Sequence, residues 1–271
     1  MKKFLIAAFA VALIAVWVVP STAVELSGQL KIKGEWDKNN DFLDGNAAAT
    51  GSATQQRTRL TATASPTDST TVKLTIQDTR EWGSTGQLTD VTGGNKIDMH
   101  EAYIQEDNLF GSDVSIRGGR QVLSYDDQRL VGGFEWSMNA RSFDAIKVMY
   151  GSDEFDVDAF AAKITEGGTA AGDESDFYGV HATIKTIPNN SLSVYALILK
   201  TQGHVAADTT TGLQTVYTFG ARLKGEASGV DYTVEIPFQT GTEGLDESTD
   251  LSAYAIAARA GYNIPGPNKV R

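Results

Sequence analysis

The residues whose type and spacing could do chemistry here are cations set at alternate positions of extended segments. Lys31, Lys33, Arg57, Arg59, Lys73, Arg117, Lys147, Arg222 and Arg259 each fall on the polar side of an apolar/polar alternation. Arg120, Arg129 and Arg141 flank a long polar excursion between two such segments. Guanidinium groups gathered around a narrow passage attract anions and hold carboxylates through paired hydrogen bonds. The plainer reading is that they pair with acids such as Glu35, Glu81, Asp156 and Glu235 and hold a wall together. Both readings stand at this level. The candidate anion-binding set is Arg57, Arg59, Lys73, Arg117, Arg120, Arg129, Arg141, Lys147, Arg222 and Arg259.

Other chemistries find little support. His100, His181 and His204 are scattered, and His100 and Glu101, adjacent in a strand, are expected to point to opposite faces. Asp126-Asp127 and the Asp156/Asp158 pair read as solvated carboxylates rather than metal ligands. No P-loop, Gly-x-Ser-x-Gly or His-Glu-x-x-His pattern occurs. There is no cysteine, which excludes disulfides and thiolate metal sites. No catalytic residue, metal or cofactor is expected, so the chain is read as a non-enzyme. A net charge of −11 argues against sequence-independent nucleic-acid binding.

The elements that must position the cations are strands. Leu26, Gly28, Leu30, Ile32, Gly34 and Trp36 alternate with Ser27, Gln29, Lys31, Lys33, Glu35 and Asp37, a period of two sustained well beyond a usual sandwich strand. The same alternation recurs over Gln55–Ser65, Thr70–Glu81, Lys96–Glu106, Asp113–Gln121, Ser142–Tyr150, Glu154–Ile164, Asp176–Lys185, Ser191–Lys200, Thr215–Lys224, Gly229–Gln239 and Leu251–Ile264. Gly118-Gly119 suggests a bulge or tight curvature. The connections alternate too. They are long after the odd-numbered segments and short after the even-numbered ones, which is the habit of an outer-membrane barrel. About ten residues at about 3.3 Å each, tilted about 40°, span the apolar band of such a barrel. Trp36, Tyr150, Phe155, Tyr178, Tyr217, Tyr232, Phe238 and Tyr262 lie near strand ends on the apolar side, as interfacial girdles do. Many acids instead crowd the connections: Asp41, Asp44, Glu166, Asp173, Glu174, Glu243, Asp246, Glu247 and Asp250. The fold class expected is all-β, an antiparallel transmembrane β-barrel with about 12 strands present.

The N-terminus reads as an export signal. Lys2 and Lys3 precede an uncharged run from Phe4 to Val19, and Ser21 and Ala23 set up cleavage after Ala23. Residues 1–23 are therefore assigned as signal peptide and residues 24–271 as the barrel domain. Losing the two lysines takes the charge from −11 to −13. No later apolar run is long enough for a spanning helix. The expected location is the bacterial outer membrane, with bilayer lipid and the barrel-assembly machinery as partners.

The stretch Gly119-Arg120-Gln121, leading through Val122–Gly132 and Trp136 to Arg141-Ser142-Phe143-Asp144, resembles the alginate-export family of outer-membrane porins. The resemblance is specific over Asp98–Val148 and a matter of pattern elsewhere. It implies a monomeric pore of about eighteen strands whose electropositive constriction passes a polyuronate. Arg120 matches the family's Gly-Arg-Gln strand end, and Arg129 and Arg141 lie where its loop folds toward the pore. It also implies that twelve strands are part of a larger barrel. Pro265-Gly266-Pro267-Asn268-Lys269 reads as a turn leading onward, so the chain is expected to be truncated at its C-terminus. The function expected is passage of anionic solutes, alginate among the candidates, through a lumen lined by arginine and lysine. The alternatives are a general diffusion porin without polysaccharide preference and a plugged structural or adhesin barrel.

Overall fold

Alternation carried through register produces a single antiparallel sheet. The computed structural model describes residues 24–37, 51–83, 97–166, 174–204, 211–243 and 249–262. The signal segment 1–23, the acids Asp41, Asp44, Asp173, Asp246 and Glu247, and the turn Pro265–Lys269 lie outside them. The strands are β1 (Glu25–Asp37), β2 (Gly51–Ala64), β3 (Thr70–Glu81), β4 (Asp98–Glu106), β5 (Val114–Gln121), β6 (Phe143–Gly151), β7 (Phe155–Thr165), β8 (Glu174–Ile184), β9 (Asn190–His204), β10 (Thr211–Ala227), β11 (Val230–Glu243), β12 (Thr249–Tyr254) and β13 (Ala257–Tyr262). The only helical element among the described residues is a 3-10 turn at Leu109–Gly111. Each strand pairs with its neighbours in sequence order. β1 pairs with β2 alone, and β12 and β13 with β11 alone, so the described sheet has two unpaired edges.

Three details depart from the sequence-based expectation. First, the hairpins run further: β9 reaches His204, β10 starts at Thr211, and β11 continues to Glu243. Threonines and other strand formers at those ends extend the ladder into what reads as loop. Second, the last strand is broken between Tyr254 and Ala257 without a change of register, since Phe238 faces Tyr254 and Glu235 faces Ala257. The cause is Pro237. Its carbonyl accepts from Ala255 N–H at 3.1 Å, but the ring leaves no N–H to return the bond on that side. Third, no bulge occurs at Gly118-Gly119, where the register is unbroken on both flanks. Gly119 instead adopts φ +123°, and a Cβ there would sit 2.3 Å from the Ala102 carbonyl oxygen. A register shift lies instead in β4, between the partners of Thr75 and Ile76, and another in β7 between Lys163 and Thr165. The shift in β4 skips His100 and turns both His100 and Glu101 to the same face, correcting the expectation that they oppose each other.

Burial is inverted relative to a water-soluble protein. Leu26, Leu30, Ile32, Leu60, Leu74, Ile146, Val180, Phe219 and Ile236 are exposed on one face of the sheet. Arg57 is 2% exposed, Thr75 2%, Arg222 4% and Glu235 4%, all on the other face. The girdle aromatics fall at two levels of the apolar face. Trp36, Tyr178, Tyr217 and Phe238 stand toward the long connections, and Tyr150, Phe155, Tyr232 and Tyr262 toward the short turns. Tyr217 and Gly225, the latter opposite Tyr232, are eight positions apart. That is about 26 Å of strand, or about 20 Å along a bilayer normal at 40° tilt. Apolar surface pointing outward between two aromatic rows fits hydrocarbon, not water.

Candidate functional site

The polar face is crossed by the excursion 122–142 between β5 and β6. What fixes this strap begins with two tight turns. Gln128 N–H donates to the Tyr125 carbonyl at 2.9 Å, and Ser137 N–H to the Phe134 carbonyl at 3.0 Å. An apolar patch then seats it. Leu123 and Val131 pack on Phe143, Ala145, Phe160, Ala162, Tyr195 and Leu197, which β6, β7 and β9 turn inward. Two glycines make room for the rings of that patch. A Cβ at Gly179 would meet the Phe160 ring at 2.3 Å, and one at Gly220 the Tyr195 ring at 2.4 Å. Tyr125 lies over His181 with ring centroids 4.7 Å apart.

Charge holds the strap at both ends. At one end Glu135 receives Arg57 Nη2 at 2.7 Å and Arg59 Nη1 at 3.0 Å, both from β2. His100 Nε2 stands 3.8 Å from the same carboxylate. Lys31 of β1 donates to the Glu135 carbonyl at 2.8 Å, and Gln77 of β3 to the Asn139 carbonyl at 2.8 Å. At the other end Asp126 receives Ser193 Oγ at 2.8 Å and lies 2.8 Å from His181 Nε2. Arg222 of β10 donates to Asp127 at 2.8 Å. Arg129 donates to Glu235 of β11 at 2.7 Å, and the Tyr195 hydroxyl donates to the same carboxylate at 3.1 Å. In a flat sheet β2 and β10 would stand about 38 Å apart. A strap folded by two turns and tied to both requires a sheet rolled around it.

Burial raises the Glu135 carboxyl, but the hydrogen bond and charge of Arg59, then those of Arg57, outweigh it and leave the group below its ordinary range. Asp126 follows the same logic. Desolvation opposes ionisation, and His181, Ser193 and Arg222 together reverse the sign. Asp127, slightly desolvated, is lowered by Arg222 and Arg129. The Tyr125 phenol moves the other way, raised by burial and then by the nearby Asp158 charge. All three strap carboxylates are therefore held ionised.

The cations named from the sequence separate into groups. Arg57, Arg59, Arg129 and Arg222 meet in the strap clamps. Lys73 pairs with Glu101 at 2.7 Å and Lys147 with Asp158 at 3.0 Å, along the wall. Together these six face six carboxylates: Glu135, Asp126, Asp127, Glu235, Glu101 and Asp158. Arg117 shares that face with no acid paired to it among the described residues. It donates to Gln105 at 2.8 Å and lies over the Tyr103 ring at 4.4 Å. Arg141 stands over Phe134 at 5.7 Å. Arg259 is exposed opposite Thr233. Arg120 falls in the phase of Ile116 and Gly118, not that of Arg117, and has Asp144 3.3 Å from its Nε at the rim. The paired acids Asp126 and Asp127 are held by arginine, and Asp156 by Lys185 at 2.9 Å.

Sequence reasoning missed Glu135, His181, Ser193 and Tyr195 as strap contacts. Glu135 is the only acid between Asp127 and Asp144, and that isolation was the available signal. The continuous apolar run Val194–Leu199 was the sign that β9 is apolar on both faces.

A family model described as "Alginate export" matches residues 23–268. Salmonella typhi OmpF in complex with daunomycin is a structural neighbour at 12% identity, with a TM-score of 0.45 over 90% of this chain and 87% of that one. A multiply substituted Rh. blastica porin is another, at 11% identity and a TM-score of 0.38 over 90% and 91%. No curated protein matches the chain.

Proposed function

The chain belongs to the alginate-export family, and on that premise we propose that it is an outer-membrane channel, narrowed by the 122–142 strap, that favours anionic solutes. Residues 1–23 serve in this reading as its export signal. The observation that carries the channel is the inverted wall, with apolar side chains outward and charge inward around a strap tied to both sides. The strap clamps and wall pairs balance six cations against six carboxylates, so anion preference rests on what is left over. Of the candidate set that is Arg117 on the wall, Arg141 at the strap end and Arg259 near the edge, since Arg120 is paired with Asp144 at the rim. Selectivity follows charges near the path rather than net charge, so a chain at −11 is compatible with an anion-preferring lumen.

The test is conductance and reversal potential of the folded chain in a planar bilayer under a salt gradient. Stepwise conductance with an anion-side reversal potential supports the proposal. Conductance without preference makes it a general diffusion pore, and a folded, inserted, silent protein makes the strap a plug.

A further inference from the structure

A second feature sits where the strap rejoins the wall. A cavity of about 450 Å³ is lined by Leu130, Phe143, Ile164, Phe177 and Leu199, with Arg141, Ser142, Arg120, Asp144 and Lys163 at its margin. Resting on the channel reading above, we propose that this cavity is a subsite for a small amphipathic monocarboxylate, an aromatic or short acyl acid, rather than for a stretch of polyuronate.

Size is the first reason, since cavities of a few hundred cubic ångströms hold one small molecule rather than a polymer segment. Polarity is the second. Five apolar side chains from the strap and from β6, β7, β8 and β9 make the floor, and Ser142 is the only neutral polar side chain on the lining. A sugar acid brings several hydroxyls, and each one covered without a partner costs affinity. A benzene ring or acyl chain brings none. Charge is the third reason. Among the described residues Lys163 is engaged by Asp176, Glu166 and Glu174, and Arg120 by Asp144 and Asp98. Arg141 has no carboxylate partner among them, holds its guanidinium 5.7 Å from the centre of the Phe134 ring, and is exposed. One free guanidinium over an apolar floor suits one carboxylate, which it can hold through two parallel hydrogen bonds. A string of uronates would instead meet the acids at the rim.

The probes are benzoate and glucuronate, titrated calorimetrically against the full chain folded in detergent micelles. Benzoate is expected to bind at least about tenfold more tightly than glucuronate. Arg141→Gln is expected to abolish that binding. Leu199→Thr keeps a good strand residue and every charge, and is expected to weaken benzoate while leaving glucuronate unchanged. A heat-modifiable gel shift confirms that each variant is folded. Equal or tighter glucuronate binding, or benzoate binding that survives Arg141→Gln, overturns the subsite. Binding in micelles needs no conductance, so a silent bilayer would sink the channel and leave this inference standing. A conducting pore that ignores benzoate would do the reverse.

Discussion

Glu135→Gln keeps the size of the side chain, removes its charge and turns one of the two oxygens that accept from Arg57 and Arg59 into a donor. The variant strands Arg57, 2% exposed, and Arg59 beside it, with only Gln29, Gln77 and the Ser137 carbonyl as neutral partners. Removing one partner of a fully buried ion pair costs about 3–5 kcal/mol. Glu135 is itself 47% exposed, and water reaching it screens the pair, so we halve that to about 2 kcal/mol. The docked strap should then open about thirtyfold more often. Trypsin reads this directly. Cleavage after Arg141 needs that end of the strap to leave the wall, including the bond from Arg141 N–H to the Gly133 carbonyl. When closing outruns cleavage, the rate tracks the open population. Cleavage after Lys185, at the opposite end of the barrel wall, is the internal reference. We expect about a thirtyfold rise at Arg141 and none at Lys185. Equal rates at Arg141 in the variant and the parent would mean that Glu135 does not hold the strap.

Three further outcomes follow from the same geometry. Glu135, Asp126 and Asp127 are all lowered in the docked state, so docking strength is present above the ordinary carboxylate range and is lost as pH falls through the depressed values. Amide protection in residues 122–142, the intrinsic exchange rate at each pH divided by the observed rate, should stay flat from neutral pH to that range and fall only below it; a fall near neutrality would contradict the assignment. Gly179→Ala should destabilise by about 1–3 kcal/mol in a denaturant titration, because the new methyl meets the buried Phe160 ring; a neutral result would mean that the ring has room to move. Arg117→Glu should move the reversal potential toward cations more than Arg120→Glu, since only Arg117 lies in the inward phase. Equal shifts would place both side chains on the path.

Much of this wall could be read from residue order. Leu30 against Lys31, Val180 against His181 and Ile236 against Glu235 each announce their face through alternation, and the structure keeps every one. Thr70–Glu81 falls where the pattern puts it. What alternation cannot carry is contact between distant segments. Nothing in the spacing of Asp126, Glu135, Arg57 and Arg222 says which acid meets which arginine, because the pairs lie 78 to 96 residues apart and form only when the sheet rolls. The His100 bulge was hidden for a related reason. One extra residue in β4 changes the face of a side chain and leaves no mark on composition. The phase of Arg120 could be read by counting from Ile116. The lumen-facing position expected for Arg120 rests on the resemblance of the Gly-Arg-Gln strand end alone.

On the membrane-barrel reading the apolar face of the sheet meets hydrocarbon. Val180 tests it most directly. It is 48% exposed, mid-strand in β8, between Ala159 and Ala196 on the outward face. On a water-facing surface Val180→Arg would change stability by less than about 0.5 kcal/mol. In a bilayer an outward arginine near the midplane costs about 2–4 kcal/mol. Reversible denaturant titration of both proteins in lipid vesicles measures the difference. A loss of about 2–4 kcal/mol is the expected result, and a change within about 0.5 kcal/mol would contradict the membrane-barrel account.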